Sequence, residues 1–291
     1  SVFHTIAYSD VFDYPLTAGE VYCYLTSMSA SLEEVAQALA DETLFARVEC
    51  YFTLRGREKI VEIRKRRAEV AKRLWPQALR YGRIIAWLPF VRMVAVTGSL
   101  AMNNVDEGRD VDYMIVTAPD RLWLCRALSL LVARFAKLEG VRLCPNYLVT
   151  THALELQERS LYVAHELAQM IPLSGMEIYH KMRRLNRWMN DYLPNIFMEP
   201  GLPPGVKPLQ NRSMIQSVLE FLLGLPFGDW LEKWEMKRKV ARLTREQSAS
   251  FESYFSADVC KGHIDRHGEN VVTALALRLQ KTVEEAAAGT V

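Results

Sequence analysis

The stretch from Val94 to Val116, VAVTGSLAMNNVDEGRDVDYMIV, limits what this chain can fold into more than any other. An apolar run ends at Gly98-Ser99, and a second run begins with two aspartates, Asp110 and Asp112, one residue apart. In a strand, side chains i and i+2 share a face, so Asp110 and Asp112 project together while Val111 and Tyr113 point the other way. Two carboxylates on one face make a site for a hard cation. Magnesium takes a few carboxylates, water and the phosphate oxygens of its substrate, and an Asp-x-Asp strand supplies the protein's share.

The surrounding pattern describes an α+β domain with a small mixed sheet over residues 89–150. Phe90 to Thr97 reads as a strand, Gly98-Ser99 as a turn, Leu100 to Asn103 as a short helix, Asn104 to Arg109 as a loop and Asp110 to Thr117 as a second strand. Pro119 then opens a helix with Leu124, Leu128, Leu131, Val132 and Phe135 at helical spacing. Gly140 ends it before a further strand, Val141 to Thr150.

Residues 1–60 read as three short helices followed by a hairpin, the order of a winged helix. Thr17 and Ser31 can each cap a helix, with Glu20 and Glu34 three residues on completing capping boxes. Val48, Cys50, Phe52 and Leu54 alternate into the turn at Gly56. Residues 61–88 then read as one long amphipathic connecting helix, with Pro76 expected to kink or divide it. Its start is rich in cations. From Arg55 to Arg83 eleven basic residues stand against Glu58, Glu62 and Glu69 alone, so the segment is either a solvated helix face or a stripe that contacts the phosphates of RNA or DNA.

Beyond Thr150 the pattern predicts a helical extension (151–197), a proline- and glycine-rich linker (198–210) and a last helical region (211–291). Half of the 291 residues are hydrophobic, enough for a substantial core. The net charge of +2 does not by itself mark a nucleic-acid binder. No apolar run approaches the roughly 20 residues of a membrane span. The opening residues, SVFHTIAYSD, lack the pattern of a secretory signal, and the five cysteines are scattered, so reduced thiols, a cytoplasmic location and no membrane partner are expected. Cys260, His263 and His267 have the spacing C-x2-H-x3-H, which suits zinc, but no fourth ligand matches it.

Gly98-Ser99, ten intervening residues and then Asp110-Val111-Asp112-Tyr113 resemble the signature of the DNA polymerase beta-like nucleotidyltransferase superfamily. The likeness covers about Pro89 to Thr150, and with the preceding module it resembles winged-helix nucleotidyltransferase-domain proteins. It implies a metal-dependent transfer of a nucleoside monophosphate, from ATP or another nucleoside triphosphate, to a hydroxyl on a macromolecular acceptor, with release of pyrophosphate. Asp110 and Asp112 would hold Mg2+ or Mn2+. Gly98 would let the backbone approach the nucleotide, Ser99 would bind a phosphate, and Arg109 and Arg126 would neutralise phosphate charge. The superfamily usually adds a third carboxylate from a later strand. Here the corresponding residue is Asn146, on the alternation of Arg142, Cys144 and Leu148, with Glu139, Glu155 and Glu158 as flanking substitutes. Two other functions are open to such a chain: a regulatory protein that binds nucleotide or nucleic acid without turning it over, and an antibiotic-modifying transferase, for which the amino-terminal module would be unneeded.

Overall fold

The first element of the chain is α1 (Val2–Asp10), followed by the two-residue strand β1 (Leu16–Thr17). Thr17 and Ser31 then start α2 (Ala18–Cys23) and α3 (Leu32–Leu39). Each side chain accepts the amide of the third helical residue, and Glu20 and Glu34 accept the cap's own amide in return. A hairpin of β2 (Phe45–Val48) and β3 (Tyr51–Leu54) follows, and β3 lies between β1 and β2 in an antiparallel sheet. Ile6, Leu16, Val21, Val35, Leu39 and Phe45 bury between these helices and strands. The computed structural model describes residues 1–196, 214–246, 254–262 and 267–288. The expected 198–210 linker lies outside the described residues.

Helix α4 (Ile60–Ala86) runs without a break through Pro76, so the proline does not divide it. Pro76 and Lys72, whose carbonyl loses its helical donor, both lie on the exposed side, where water can take up that bond. Trp75, Ala78, Tyr81 and Ile85 meanwhile fix the other side against the core.

The cation excess along this segment largely disappears in space. Arg57 meets Asp10 at 2.7 Å and Asp13 at 2.5 Å, Arg64 grips both oxygens of Glu20, and Arg67 grips both oxygens of Asp106 at 3.0 and 2.9 Å. Arg73, Arg80 and Lys65 pair with Glu107, Glu139 and Glu49. The acids come from other parts of the sequence, which is why the linear count missed them.

The central sheet is built from β4 (Val91–Thr97), β5 (Val111–Thr117) and β6 (Leu143–Thr150), with the short α5 (Gly98–Ala101) after β4 and α6 (Leu122–Leu138) crossing from β5 to β6. The crossover makes β5 and β6 parallel, whereas β4 and β5 are antiparallel, so the sheet is mixed as expected. After α7 (Leu161–Gln169) comes β7 (Ile171–Ser174), then α8 (Met176–Leu185), α9 (Met189–Tyr192), α10 (Met214–Leu223) and α11 (Pro226–Glu246). The chain ends with β8 (Tyr254–Phe255), β9 (Val259–Lys261) and α12 (His267–Ala288), and the sheet order is β7-β4-β5-β6-β9-β8.

Three of these strands, β7, β8 and β9, correct the expectation that everything after Thr150 is helical. β7 is an edge strand paired with β4, a place that tolerates Pro172, and all four of its residues are buried, so it shows no polar alternation. β9 adds to the outer side of β6 through Tyr147, Leu148 and Val149. Residues 151–197 and 211–291 are both mostly helical among the described residues, through α7–α9 and α10–α12, but each region also adds strand to the sheet.

One face of the sheet, with Val94, Val96, Val111, Tyr113 and Ile115, packs on α4 and α6. The other, with Met93, Ala95, Met114 and Val116, packs on α7, α8 and α9. Among the described residues no helix is long and apolar enough to cross a membrane.

α6 begins at Leu122, three residues later than Pro119, and has no side-chain cap of its own. Buried Glu232 of α11 supplies one, accepting the amides of Trp123 at 2.8 Å and Leu124 at 2.7 Å. A carboxylate there answers both the orphan donors and the positive end of the helix. Glu232→Gln, which keeps the shape but turns one of the two accepting oxygens into an NH2 donor facing a backbone amide, is expected to lower stability by about 1–2 kcal/mol, read from the urea unfolding midpoint.

Candidate functional site

β4 and β5 pair with Thr97 directly across from Asp112, so the chain leaves β4 beside the Asp112 carboxylate. Gly98 makes that exit with φ +63°, and a Cβ built on it would stand 2.7 Å from Asp112 Oδ2. Only glycine both tolerates the left-handed backbone and leaves room for the carboxylate. Ser99 follows, partly buried on α5, and its carbonyl accepts the Asn104 amide at 2.8 Å. Asp110 lies exposed at the foot of β5, while Asp112 is partly buried.

The third strand reaches the same spot through a bulge. Asp112 is in register with Cys144 but Met114 with Tyr147, so β6 carries one extra residue here, next to Pro145. The expected alternation of Arg142, Cys144, Asn146 and Leu148 therefore breaks. Asn146 stays with Asp112, and its Nδ2 donates to Asp112 Oδ1 at 3.0 Å, whereas Leu148 turns to the opposite face and joins the core under α6. The Asn146 Oδ1 atom is buried without a hydrogen-bond partner.

A small cleft opens beside this pair on the α7 side of the sheet, lined by Thr97, Asn146, Tyr147, Glu158, Glu166 and Lys261 over an apolar floor. Glu166 of α7 was not foreseen as a site residue. It sits inside a segment with ordinary helical periodicity, and nothing local marks it. Of the three acids considered as substitutes for the third carboxylate, Glu139 is held by Arg80 and the Tyr81 hydroxyl, and Glu155 by Arg159 at the surface. Glu158 alone lies at the cleft, in an ion pair with Lys261.

The electrostatics follow from burial and from shared negative charge. Burial, then the neighbouring Asp110 charge, pushes the Asp112 carboxyl up to about 7, against weaker opposite pulls from Cys144 and Arg109. Burial, then the Asp112 charge, pushes Glu166 up to about 7 as well, with Lys261 opposing. The Cys144 thiol is pushed up to about 12 by burial and by both aspartates. The cleft thus joins coupled carboxylates to an orphaned amide oxygen, and a small hard cation is the species that answers both. Among the described residues no three of His, Cys, Asp and Glu converge on a single point. Asp110, Asp112 and the neutral Asn146 Oδ1 are the neighbouring oxygens that could hold a cation, and Glu166 lines the adjoining cleft.

Arg109 adjoins the aspartates, close enough for its charge to act on Asp112. Arg126 does not reach them. It stands on α6 over the Trp123 ring at 5.8 Å, and Trp123 and Cys125 pack against the face of the sheet opposite to Asp112. Its expected role on the nucleotide is withdrawn: the helix spacing was sound, but α6 crosses behind the sheet. Cys260 is likewise buried on that far side, and His263 lies outside the described residues.

Comparison with protein-family models, with curated proteins and with solved structures finds no match to this chain.

Proposed function

We propose that the protein is a metal-dependent nucleotidyltransferase. The observation that carries this reading is the contact of Gly98 with Asp112, beside an Asn146 oxygen that is buried and has no partner. A glycine turn pressed on a carboxylate brings backbone amides, which suit phosphate, next to acids, which suit the metal that phosphate carries.

Asp110, Asp112 and Asn146 Oδ1 would hold Mg2+ or Mn2+. Bound there with the triphosphate, the metal supplies charge neutralisation for the transferring phosphoryl group. Ser99 and the turn amides position the phosphates, and Arg109 offsets their charge at the open side. The acceptor's hydroxyl oxygen bonds to the α-phosphorus as the bond to the bridging oxygen breaks, and pyrophosphate leaves with that electron pair. Glu166, whose carboxyl is pushed up to about 7, takes the hydroxyl proton in its ionised form and so fills from a helix the place that Asn146 leaves on the strand.

The N-terminal helices and hairpin we read as a winged helix that serves as scaffold. α3, the element that would enter a nucleic-acid groove, carries Glu33 and Glu34 in its first turn and no Lys or Arg. Most of the α4 cations are paired to acids as well, so the cleft and not the basic stripe carries the nucleotidyltransferase reading.

The test is incubation with labelled nucleoside triphosphates, Mg2+ or Mn2+, and total RNA or protein as acceptor. Labelled product and pyrophosphate are expected. Asp110→Ala should remove both, and Glu166→Gln should lower kcat about a hundredfold with little change in triphosphate affinity. Metal-dependent nucleotide binding without any pyrophosphate would assign the protein to the regulatory class instead. Absence of nucleotide binding would end the proposal.

A further inference from the structure

The outward side of α10 and α11 is unlike the rest of the surface. Phe221, Leu222, Leu225, Phe227, Trp230 and Trp234 stand between 47% and 73% exposed. Three of them form a row: the rings of Phe227 and Trp230 stack with centroids 5.9 Å apart, and those of Trp230 and Trp234 at 6.3 Å. Scattered exposed apolar residues need no explanation, but a row of this size on adjoining helices does.

Charge sorts itself by side on the same helices. The segment 214–240 contains four acids, and each is engaged. Glu220 accepts from Arg92 at 2.7 Å and from the Phe90 amide at 2.8 Å, Asp229 pairs with Arg121 at 2.5 Å, Glu232 caps α6, and buried Glu235 is held by Arg238 at 2.6 Å. Lys233 and Lys237 are exposed and have no carboxylate partner among the described residues. Glu220 thus ties α10 to β4, Asp229 and Glu232 tie α11 to the start of α6, and Glu235 pairs within α11, while the outward side keeps apolar groups and exposed lysines.

We infer that this side of α10 and α11 docks on an anionic lipid surface. The indole and phenyl rings enter the headgroup boundary, the leucines reach the acyl chains, and Lys233 and Lys237 face the lipid phosphates. A bilayer needs no crossing helix for this, since the helices lie in its plane. A second copy of the same face would set these lysines against their own kind. Nucleic acid would find only two exposed lysines on this face, too few for a phosphate track. The inference stands apart from the nucleotidyltransferase reading, because none of these residues lines the cleft.

Flotation of the full chain with vesicles tests it, comparing phosphatidylcholine alone with phosphatidylcholine containing about one third phosphatidylserine. Binding to the anionic vesicles is expected, with a blue shift of tryptophan emission and a loss at high salt. Trp230→Ser with Trp234→Ser should weaken it on both counts, and Lys233→Glu with Lys237→Glu should weaken it about tenfold or more while leaving the fold intact by circular dichroism. Failure of the wild type to float, or equal flotation of the charge-reversed variant, overturns the inference. So does a dimer in solution that the tryptophan variant dissociates, or single-stranded RNA that the row binds in preference to vesicles.

Discussion

Asp112→Asn is expected to unfold at higher urea than the wild type at pH 8 in divalent-free buffer, and at the same time to lose metal-dependent nucleotide binding and transfer. The two effects have one cause. The Asp112 carboxyl sits near 7 in the folded protein, above its ordinary value near 3.8. Below the unfolded value both states hold the proton and the group is neutral to stability. As pH rises toward 7 the unfolded chain gives up its proton and the folded one keeps it, so stability falls through that window and is lowest above it. The full penalty is at most about 4 kcal/mol, from some three units at 1.36 kcal/mol each. Asn removes it, and it also removes the charge that pushes Glu166 up. Wild type and variant should therefore match near pH 3.5 and diverge up to about pH 8. Added Mg2+ should close the gap by stabilising the wild type alone, more at pH 8 than at pH 6, because protons compete with the metal for the same oxygens. If the variant is no more stable than the wild type at pH 8, the charge at Asp112 is already compensated and the cation reading loses its support.

Much of the site could be read from the sequence because β-strand geometry is local. The end of the apolar run at Gly98-Ser99 marks the exit from β4 and Asp112 falls at the start of β5, but Asp110 lies one residue before that strand, and the contact of Gly98 with Asp112 follows only from the β4–β5 register. Both capping boxes at Thr17 and Ser31 were equally legible, each being a contact within four residues. What escaped depends on long-range pairing. The extra residue in β6 is invisible until β5 fixes the register, so Leu148 was assigned to the wrong face while Asn146 was not. Glu166 faces Asp112 only because α7 packs on that side of the sheet, and Arg126 misses it because α6 packs on the other. A helical period says which side of a helix is apolar but not which face of the sheet it covers. β7 escaped for a different reason, since a fully buried four-residue strand with a proline shows neither alternation nor length.

Gly98→Ala should separate the site from ordinary backbone strain when it is compared with Gly140→Ala. Both glycines have a left-handed backbone, φ +63° and +78°. An alanine therefore costs each a similar conformational penalty, about 1 kcal/mol. They differ in what the new methyl group meets. At Gly140 there is nothing within 4 Å, whereas at Gly98 the Asp112 carboxylate is 2.7 Å away and has to leave its position. That movement would also break the Asn146 hydrogen bond to Oδ1, so the metal oxygens and the phosphate turn would be displaced together. Gly98→Ala is thus expected to cost about 2–3 kcal/mol in stability and about a hundredfold or more in transfer, because catalysis of this kind depends on sub-ångström placement. Gly140→Ala is expected to lose about 1 kcal/mol and no activity. Both are measured by urea unfolding and by initial transfer rates at saturating triphosphate. Equal losses of activity in the two variants would mean that the turn matters only as a turn. Loss confined to Gly98→Ala would tie function to the space between this glycine and Asp112.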